Sequence, residues 1–214
     1  MKLYGHPFSS YSWKVLIALY ENGTAFEDRA LTQPQHYAEL SDLWPHKKFP
    51  LLADNGQTLI ESSVIIEYLD RHYPGKTQFI PDGDAALEVR FLDRFFDNYV
   101  MTPMTRIVGD FLRKPEDRDA LTVRDAKALL DTSYRWIEDN LADRTWAAGE
   151  AFTLADCAAA PSLFYADWVH PIAEELRHTR AYRARLLARP SIKRAVDEAR
   201  PYRDHFPPGA PDRD

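Results

Sequence analysis

The stretch Phe49-Pro50-Leu51-Leu52-Ala53-Asp54-Asn55-Gly56-Gln57-Thr58-Leu59-Ile60-Glu61-Ser62-Ser63 carries the densest structural signal in the chain. Asn55-Gly56 tolerates the left-handed backbone of a tight hairpin turn, so Leu51-Leu52 and Leu59-Ile60 read as the two strands it joins. Pro50 has no N–H to give to a ladder, which leaves the backbone of Phe49 free to pair with something outside the sheet. Ser62 opens a run with helical periodicity, Val64, Ile65, Tyr68 and Leu69. The N–H groups at the start of that helix, with the positive end of its dipole, make a place for a carboxylate. A free strand backbone beside a carboxylate site describes a platform for one short, acidic peptide.

Toward the N-terminus, Leu3 to His6 and Phe26 to Leu31 are strand candidates. Between them, Trp13 to Asn22 predicts a helix whose Trp13, Leu16, Ile17 and Tyr20 share one face. Asn22-Gly23 supplies its stop, and the result is a βαβ unit feeding a mixed sheet. Toward the C-terminus, Pro81-Asp82-Gly83-Asp84 is rich in turn residues, and a linker falls at residues 75 to 84. Everything beyond is helix-periodic. Leu87, Phe91, Leu92, Phe95, Phe96 and Tyr99 form an aromatic stripe that reads as core, and Asp117 to Leu141 reads as another helix. Thr153 and Asp156 have the spacing of a capping box, with Phe152 and Cys157 at the staple positions. The proline-rich end, Phe206 to Pro211, predicts a mobile tail.

Composition narrows the chemistry. The chain has 214 residues, 45% hydrophobic, with a formal net charge of −6. That charge argues against a general nucleic-acid or anionic-membrane surface, both of which need a basic footprint. With one cysteine, Cys157, there is no internal disulfide and no Cys-x-x-Cys redox site, which fits a reducing compartment, and cytoplasmic localisation is the expectation. Neither an apolar leader nor an apolar run near 18 residues is seen, so no export or membrane spanning is expected. His6, His36, His46 and His72 lack metal-ligand spacing with that cysteine, and no metal site is expected.

Three segments together carry a family resemblance. Lys2-Leu3-Tyr4-Gly5 leads into Phe8-Ser9-Ser10-Tyr11-Ser12-Trp13-Lys14-Val15, similar to the Ser-Ser-Cys segment of zeta-like glutathione transferases with Tyr11 in the Cys place. The Pro50 strand and Glu61-Ser62 form the second segment, and Phe152-Thr153-Leu154-Ala155-Asp156 the third. The chain thus resembles the glutathione transferase superfamily, of the bacterial, zeta- or theta-like cytosolic type. The resemblance implies an α/β N-terminal thioredoxin-like domain at 1–78, an all-α C-terminal helical domain at 85–205, a homodimer, and glutathione as cosubstrate. It also implies a cis Phe49–Pro50 bond.

With no cysteine after the first strand, dithiol exchange is excluded, and a hydroxyl there would donate to the glutathione sulfur. A thiol titrating near ~8.5 needs a shift of ~1 to 2 units to be largely ionised at neutral pH, about what one charge-assisted hydrogen bond supplies. The candidates for that donor are Ser9, Ser10 and Tyr11, ranked in that order; Ser9, Ser10 and Ser12 could each also cap the following helix. The resemblance assigns Phe49 with Pro50 to backbone pairing with the cysteinyl unit, and Glu61 and Ser62 to the γ-glutamyl group. Lys48 stands near the glycyl carboxylate, with Lys47 equally placed on paper. The second substrate is expected to be a small hydrophobic electrophile, near Phe8, Tyr11, Tyr99, Met104 and Arg106. Thioether formation is the leading activity. Glutathione-dependent isomerase, dehalogenase or peroxidase chemistry, or a noncatalytic interaction module, are the alternatives.

Overall fold

A computed structural model describes residues 1–214. The N-terminal part holds β1 (Lys2–Gly5), α1 (Ser10–Asn22), β2 (Glu27–Ala30), α2 (Pro34–Leu43), β3 (Leu51–Asp54), β4 (Gln57–Ile60) and α3 (Ser62–His72). The sheet runs β2-β1-β3-β4, with β1 and β2 parallel and the other neighbours antiparallel. Asn55 and Gly56 take φ of 48° and 76° between β3 and β4, the hairpin turn read from their side chains. No regular element lies between His72 and Ala85.

The rest is helical: α4 (Ala85–Phe95), a wide turn of π-helix at Phe96–Met101, α5 (Thr102–Phe111), α6 (Ala120–Asn140), α7 (Leu154–Val169), α8 (Arg177–Ala188) and α9 (Pro190–Ala199). A short 3₁₀ turn, Arg200–His205, follows α9. The central helix is α7. Every residue from Leu154 to Trp168 is buried, because small Ala155, Ala158, Ala159 and Ala160 let neighbouring backbones come close. Its start is fixed by the capping box: Asp156 Oδ2 accepts the Thr153 N–H at 2.9 Å. Asp156 Oδ1 also accepts from Tyr182 and from the Ala147 backbone, so this buried carboxylate anchors two further segments.

Helix α1 packs against both α3 and α7, and this sandwiched position explains why Ser12 to Leu19 are all buried, more than one amphipathic face. It begins at Ser10, a turn earlier than the apolar periodicity alone indicates, because Ser9 takes the N-cap and its Oγ accepts the Ser12 N–H.

Two expectations from the sequence need correction. The aromatic stripe is split: Leu92, Phe95 and Phe96 are core, whereas Leu87, Phe91 and Tyr99 face outward at 66%, 51% and 48% exposure. Helical periodicity cannot tell a face covered by the same chain from one left open. Nor is the C-terminal segment a free tail. Phe206 is buried against Phe8, Tyr165 and Trp168, Arg213 pairs with Asp167, and Asp214 pairs with Arg200 and Arg203. Prolines prevent a helix there but do not prevent side-chain anchoring.

Candidate active site

A polar cleft of about 240 Å³ is lined by Tyr11, Trp44, Lys48, Phe49, Pro50, Ile60, Glu61, Ser62, Arg94, Asp97 and Asn98. The structure therefore gathers Lys48, Phe49, Pro50, Glu61 and Ser62 around one cleft, and it separates Lys48 from Lys47, which has φ of 54° and is not in the lining. The Phe49–Pro50 bond is cis. Strand β3 begins its pairing only at Leu51, and no intrachain hydrogen bond engages the Phe49 N–H or C=O. A backbone donor and acceptor thus stand open at the cleft.

Beside them is the start of α3. Glu61 is its N-cap residue but offers no side-chain cap, so the first N–H groups of the helix stay available to a ligand carboxylate. Glu61 holds φ of 66° and ψ of 114°, a conformation that costs a side-chain-bearing residue about 1–3 kcal/mol. The strained turn lets chain direction change between β4 and α3 while Glu61 stays exposed at the cleft and Ser62 is buried on its floor.

Under this floor lies a charge cluster that the sequence reading did not anticipate. Lys14 is fully buried, and its Nζ donates to Asp93 Oδ1 and Asp97 Oδ2, each at 2.7 Å, and to Ser63 Oγ at 3.1 Å. Arg94, half-exposed, donates to both aspartates as well. The cluster ties α1 and α3 to α4 and the π-helix. Burial pushes the Asp97 carboxyl up, against the pull of Lys14. Asp97 Oδ1 is buried and has no partner in the chain, although the residue lines the cleft. An unpartnered buried carboxylate oxygen is costly, and a ligand cation would relieve it. Signals for this cluster existed in the sequence: one lysine inside an otherwise apolar helix, and two aspartates at i and i+4 within the aromatic stripe.

The proposed sulfur-facing residues divide between two cavities. Ser9 and Ser10 line a second pocket, of about 210 Å³, with Phe8, Met104, Thr105, Val108, Tyr165, His205, Phe206 and Pro207. Tyr11 lines the polar cleft, and its phenol is pushed up to about 12 by burial first and by the nearby Asp97 charge second. Tyr11 is therefore a neutral donor at physiological pH. Ser9 uses an oxygen lone pair for its cap, so its O–H hydrogen remains free to donate elsewhere. Of the residues expected to face the electrophile, Phe8 and Met104 line this second pocket, while Tyr99 and Arg106 line neither cavity.

Residues 3–77 match the model for the glutathione S-transferase N-terminal domain, and residues 97–190 match that for its C-terminal domain. The chain belongs to the glutathione transferase superfamily. It is 29% identical over 160 residues to a probable glutathione S-transferase of Nicotiana tabacum, covering 74% of this chain and 68% of the relative. A probable maleylacetoacetate isomerase of Vibrio cholerae is 28% identical over 209 residues, covering 93% and 96%. Among solved structures, a glutathione S-transferase of Methylobacterium radiotolerans in complex with glutathione sulfonate superposes with a TM-score of 0.75 at 27% identity, over 91% of this chain and 93% of that one.

Proposed function

We propose that this protein is a glutathione transferase that ionises the glutathione thiol for attack on small hydrophobic electrophiles. The observation that carries this reading is the meeting of two unlike cavities at the first turn of α1: a polar cleft with an open strand backbone and open helix N-terminus, and a largely apolar pocket whose polar edge includes Ser9 and Ser10. In this reading residues 1–78 bind the tripeptide, and residues 85–205 add the far wall.

The tripeptide lies along the cleft. Its cysteinyl unit pairs with the Phe49 backbone, and its γ-glutamyl carboxylate takes the α3 N–H groups and the Ser62 hydroxyl. Its ammonium sits between Glu61 and the unpartnered Asp97 Oδ1, and Lys48 draws the glycyl carboxylate. These contacts deliver the sulfur to the start of α1. There the helix dipole and the Ser9 O–H stabilise the thiolate, the thiol proton leaves to water, and the sulfur attacks the electrophile seated in the apolar pocket. Ser10 and Tyr11 are the reserve donors.

The protein acts in the cytoplasm as a homodimer, and outward-facing Leu87, Phe91 and Tyr99 supply the apolar surface that a second copy would bury. No helix is long and apolar enough to cross a membrane. Glutathione titration by calorimetry, followed by conjugation of chlorodinitrobenzene, tests the activity. Binding without turnover of any electrophile would instead favour a noncatalytic module. The isomerase-like relative keeps a second reading open to test, in which the same thiolate adds reversibly to a conjugated double bond.

A further inference from the structure

A third cavity, of about 480 Å³, shares no residue with the polar cleft or the apolar pocket. It is lined by the end of α7, by α8 and by the end of the chain, and three of its lining residues are arginines: Arg180, Arg183 and Arg213. Arg180, Arg183 and Ala184 stand at i, i+3 and i+4 on one face of α8, where the small side chain of Ala184 leaves room between the helix and its neighbours. Pro171 and buried Ile172, just past α7, give the cavity an apolar part.

The two acidic residues in the lining are already engaged. Asp167 Oδ1 accepts the Ile172 N–H at 2.8 Å, and its Oδ2 accepts from Arg213, which also donates to the Asp167 carbonyl at 2.8 Å. Asp214 bridges Arg200 and Arg203. Arg183 lies 3.3 Å from Asp167 Oδ2 without forming a hydrogen bond to it. Of the donors on its guanidinium only Nε–H is used, in a long bond of 3.4 Å to the Leu163 carbonyl, and Nη2 is buried with no partner. The group is nevertheless held in place, 6.0 Å over the Phe164 ring. Arg180 is exposed and pairs with nothing in the chain. Structural arginines elsewhere are satisfied: Arg189 donates twice to Glu21, and Arg90 twice to Glu67. Around the third cavity Arg180, Arg183, Arg200, Arg203 and Arg213 face only the side chains of Asp167 and Asp214, in a chain whose net charge is −6. A terminal carboxylate on Asp214 would still leave cations in excess. Burial lowers the Arg183 pKa, Asp167 opposes that, and the Arg213 charge adds to it.

We propose that this cavity binds the phosphate group of a small phosphate monoester. The inference stands apart from the transferase reading, since no residue of the polar cleft or the apolar pocket takes part. A guanidinium fork matches phosphate oxygens two at a time, and such charge-assisted bonds are the strong ones. Arg183 and Arg180 hold the oxygens, Arg213 adds to the positive field, and the organic group of the ester rests on Pro171 and Ile172. A carboxylate would balance one of these arginines, whereas a phosphate dianion balances two. Arg213 and Asp214 end the segment that also carries buried Phe206, so a ligand here ties that segment to α8.

The test is titration calorimetry with phenyl phosphate and with inorganic phosphate, at constant ionic strength and about pH 7.5, above the second phosphate pKa of about 6. The wild type should bind phenyl phosphate with a Kd at or below about 1 mM, and no saturable binding up to about 10 mM would overturn the proposal. Arg180→Gln, which breaks no contact within the chain and so leaves the fold intact, should weaken binding at least about threefold, and Arg183→Gln at least about tenfold. Unchanged affinity in Arg180→Gln would overturn the site even if Arg183→Gln failed to fold. Lys48→Gln is the control for the polar cleft: it should leave phenyl phosphate affinity unchanged, and a loss there equal to that of Arg180→Gln would place the anion in the cleft and overturn the proposal. Phenyl phosphate should bind at least about threefold more tightly than inorganic phosphate, since one buried methylene-sized contact is worth about that much. Equal affinity for the two would overturn the assignment to a monoester.

Discussion

The polar cleft and the apolar pocket have similar volumes, about 240 and 210 Å³, but are built in opposite ways. The cleft draws most of its lining from the segment Trp44 to Ser62 and Tyr11, on short strands and helix starts, and α4 and the π-helix supply only Arg94, Asp97 and Asn98. Its wall is backbone as much as side chain. The pocket draws on the loop after β1 and the start of α1, on α5, on α7 and on the folded-back end of the chain, segments distant from one another in the sequence. A site made of local backbone geometry binds one constant ligand. A site assembled from distant side chains can change its preference by single substitutions while the cleft stays as it is.

The largest expected effect breaks the floor of the cleft. Lys14→Met removes the buried cation shared by Asp93 and Asp97 and should cost about 3–5 kcal/mol of stability, since two buried carboxylates lose their main partner. Urea unfolding measures this, and Asp93→Asn in the Lys14→Met background should recover part of the loss. A cost below about 1 kcal/mol would mean that Arg94 neutralises the pair alone.

Next come the proposed ligand contacts of the cleft. Glu61→Ala and Ser62→Ala should each weaken glutathione binding by roughly 1–3 kcal/mol in titration calorimetry, with turnover at saturating glutathione changing less. Unchanged affinity in both variants would remove the helix-start site. The boundary between the two cavities is probed by Ser9→Ala. If its hydrogen bond to sulfur is worth roughly 1.5 to 3 kcal/mol, the bound thiol titrates about 1 to 2 units higher and neutral-pH turnover falls about ten- to hundredfold. Thiolate absorbance against pH would show it, and a shift in Ser10→Ala or Tyr11→Phe instead would move the role to that neighbour.

The smallest effect concerns the turn beneath the pocket. Burial, then His205, lowers the His6 pKa from its ordinary 6.5 in the folded state. The unfolded chain then binds the proton more readily, so stability contributed by neutral His6 is present above about pH 6.5 and is lost as pH falls below it. His6→Gln should flatten the part of the stability profile between pH 7 and pH 5, measured by urea unfolding. An unchanged profile would show that protonated His6 is tolerated in place.

The hairpin around Asn55-Gly56, the capping box at Thr153 and the pairing of the Phe49-Pro50 strand with the helix start at Ser62 were legible because each is local: turn chemistry, cap spacing and proline's missing donor act within a few residues, whereas Glu61 and Lys48 were added by the family resemblance. Helix α1 was legible in its apolar body but not in its first turn, since the cap at Ser9 competes with equally suitable serines at 10 and 12. The Lys14 cluster was not legible as a contact, although its odd residues stood out, because Asp93 and Asp97 are 79 and 83 residues away from Lys14 in the chain.

By itself the sequence determined the mixed sheet, the helical second half and the strand-to-helix wall that can receive a peptide, all of which follow from periodicity and backbone chemistry. Only the tertiary structure decided which half of the aromatic stripe is covered, which lysine meets the cleft, and that the proline-rich end folds back to bring His205 beside Ser9. Those outcomes depend on the packing of segments distant along the chain, and hydrophobic burial, being non-directional, does not announce its partners in the residues that take part.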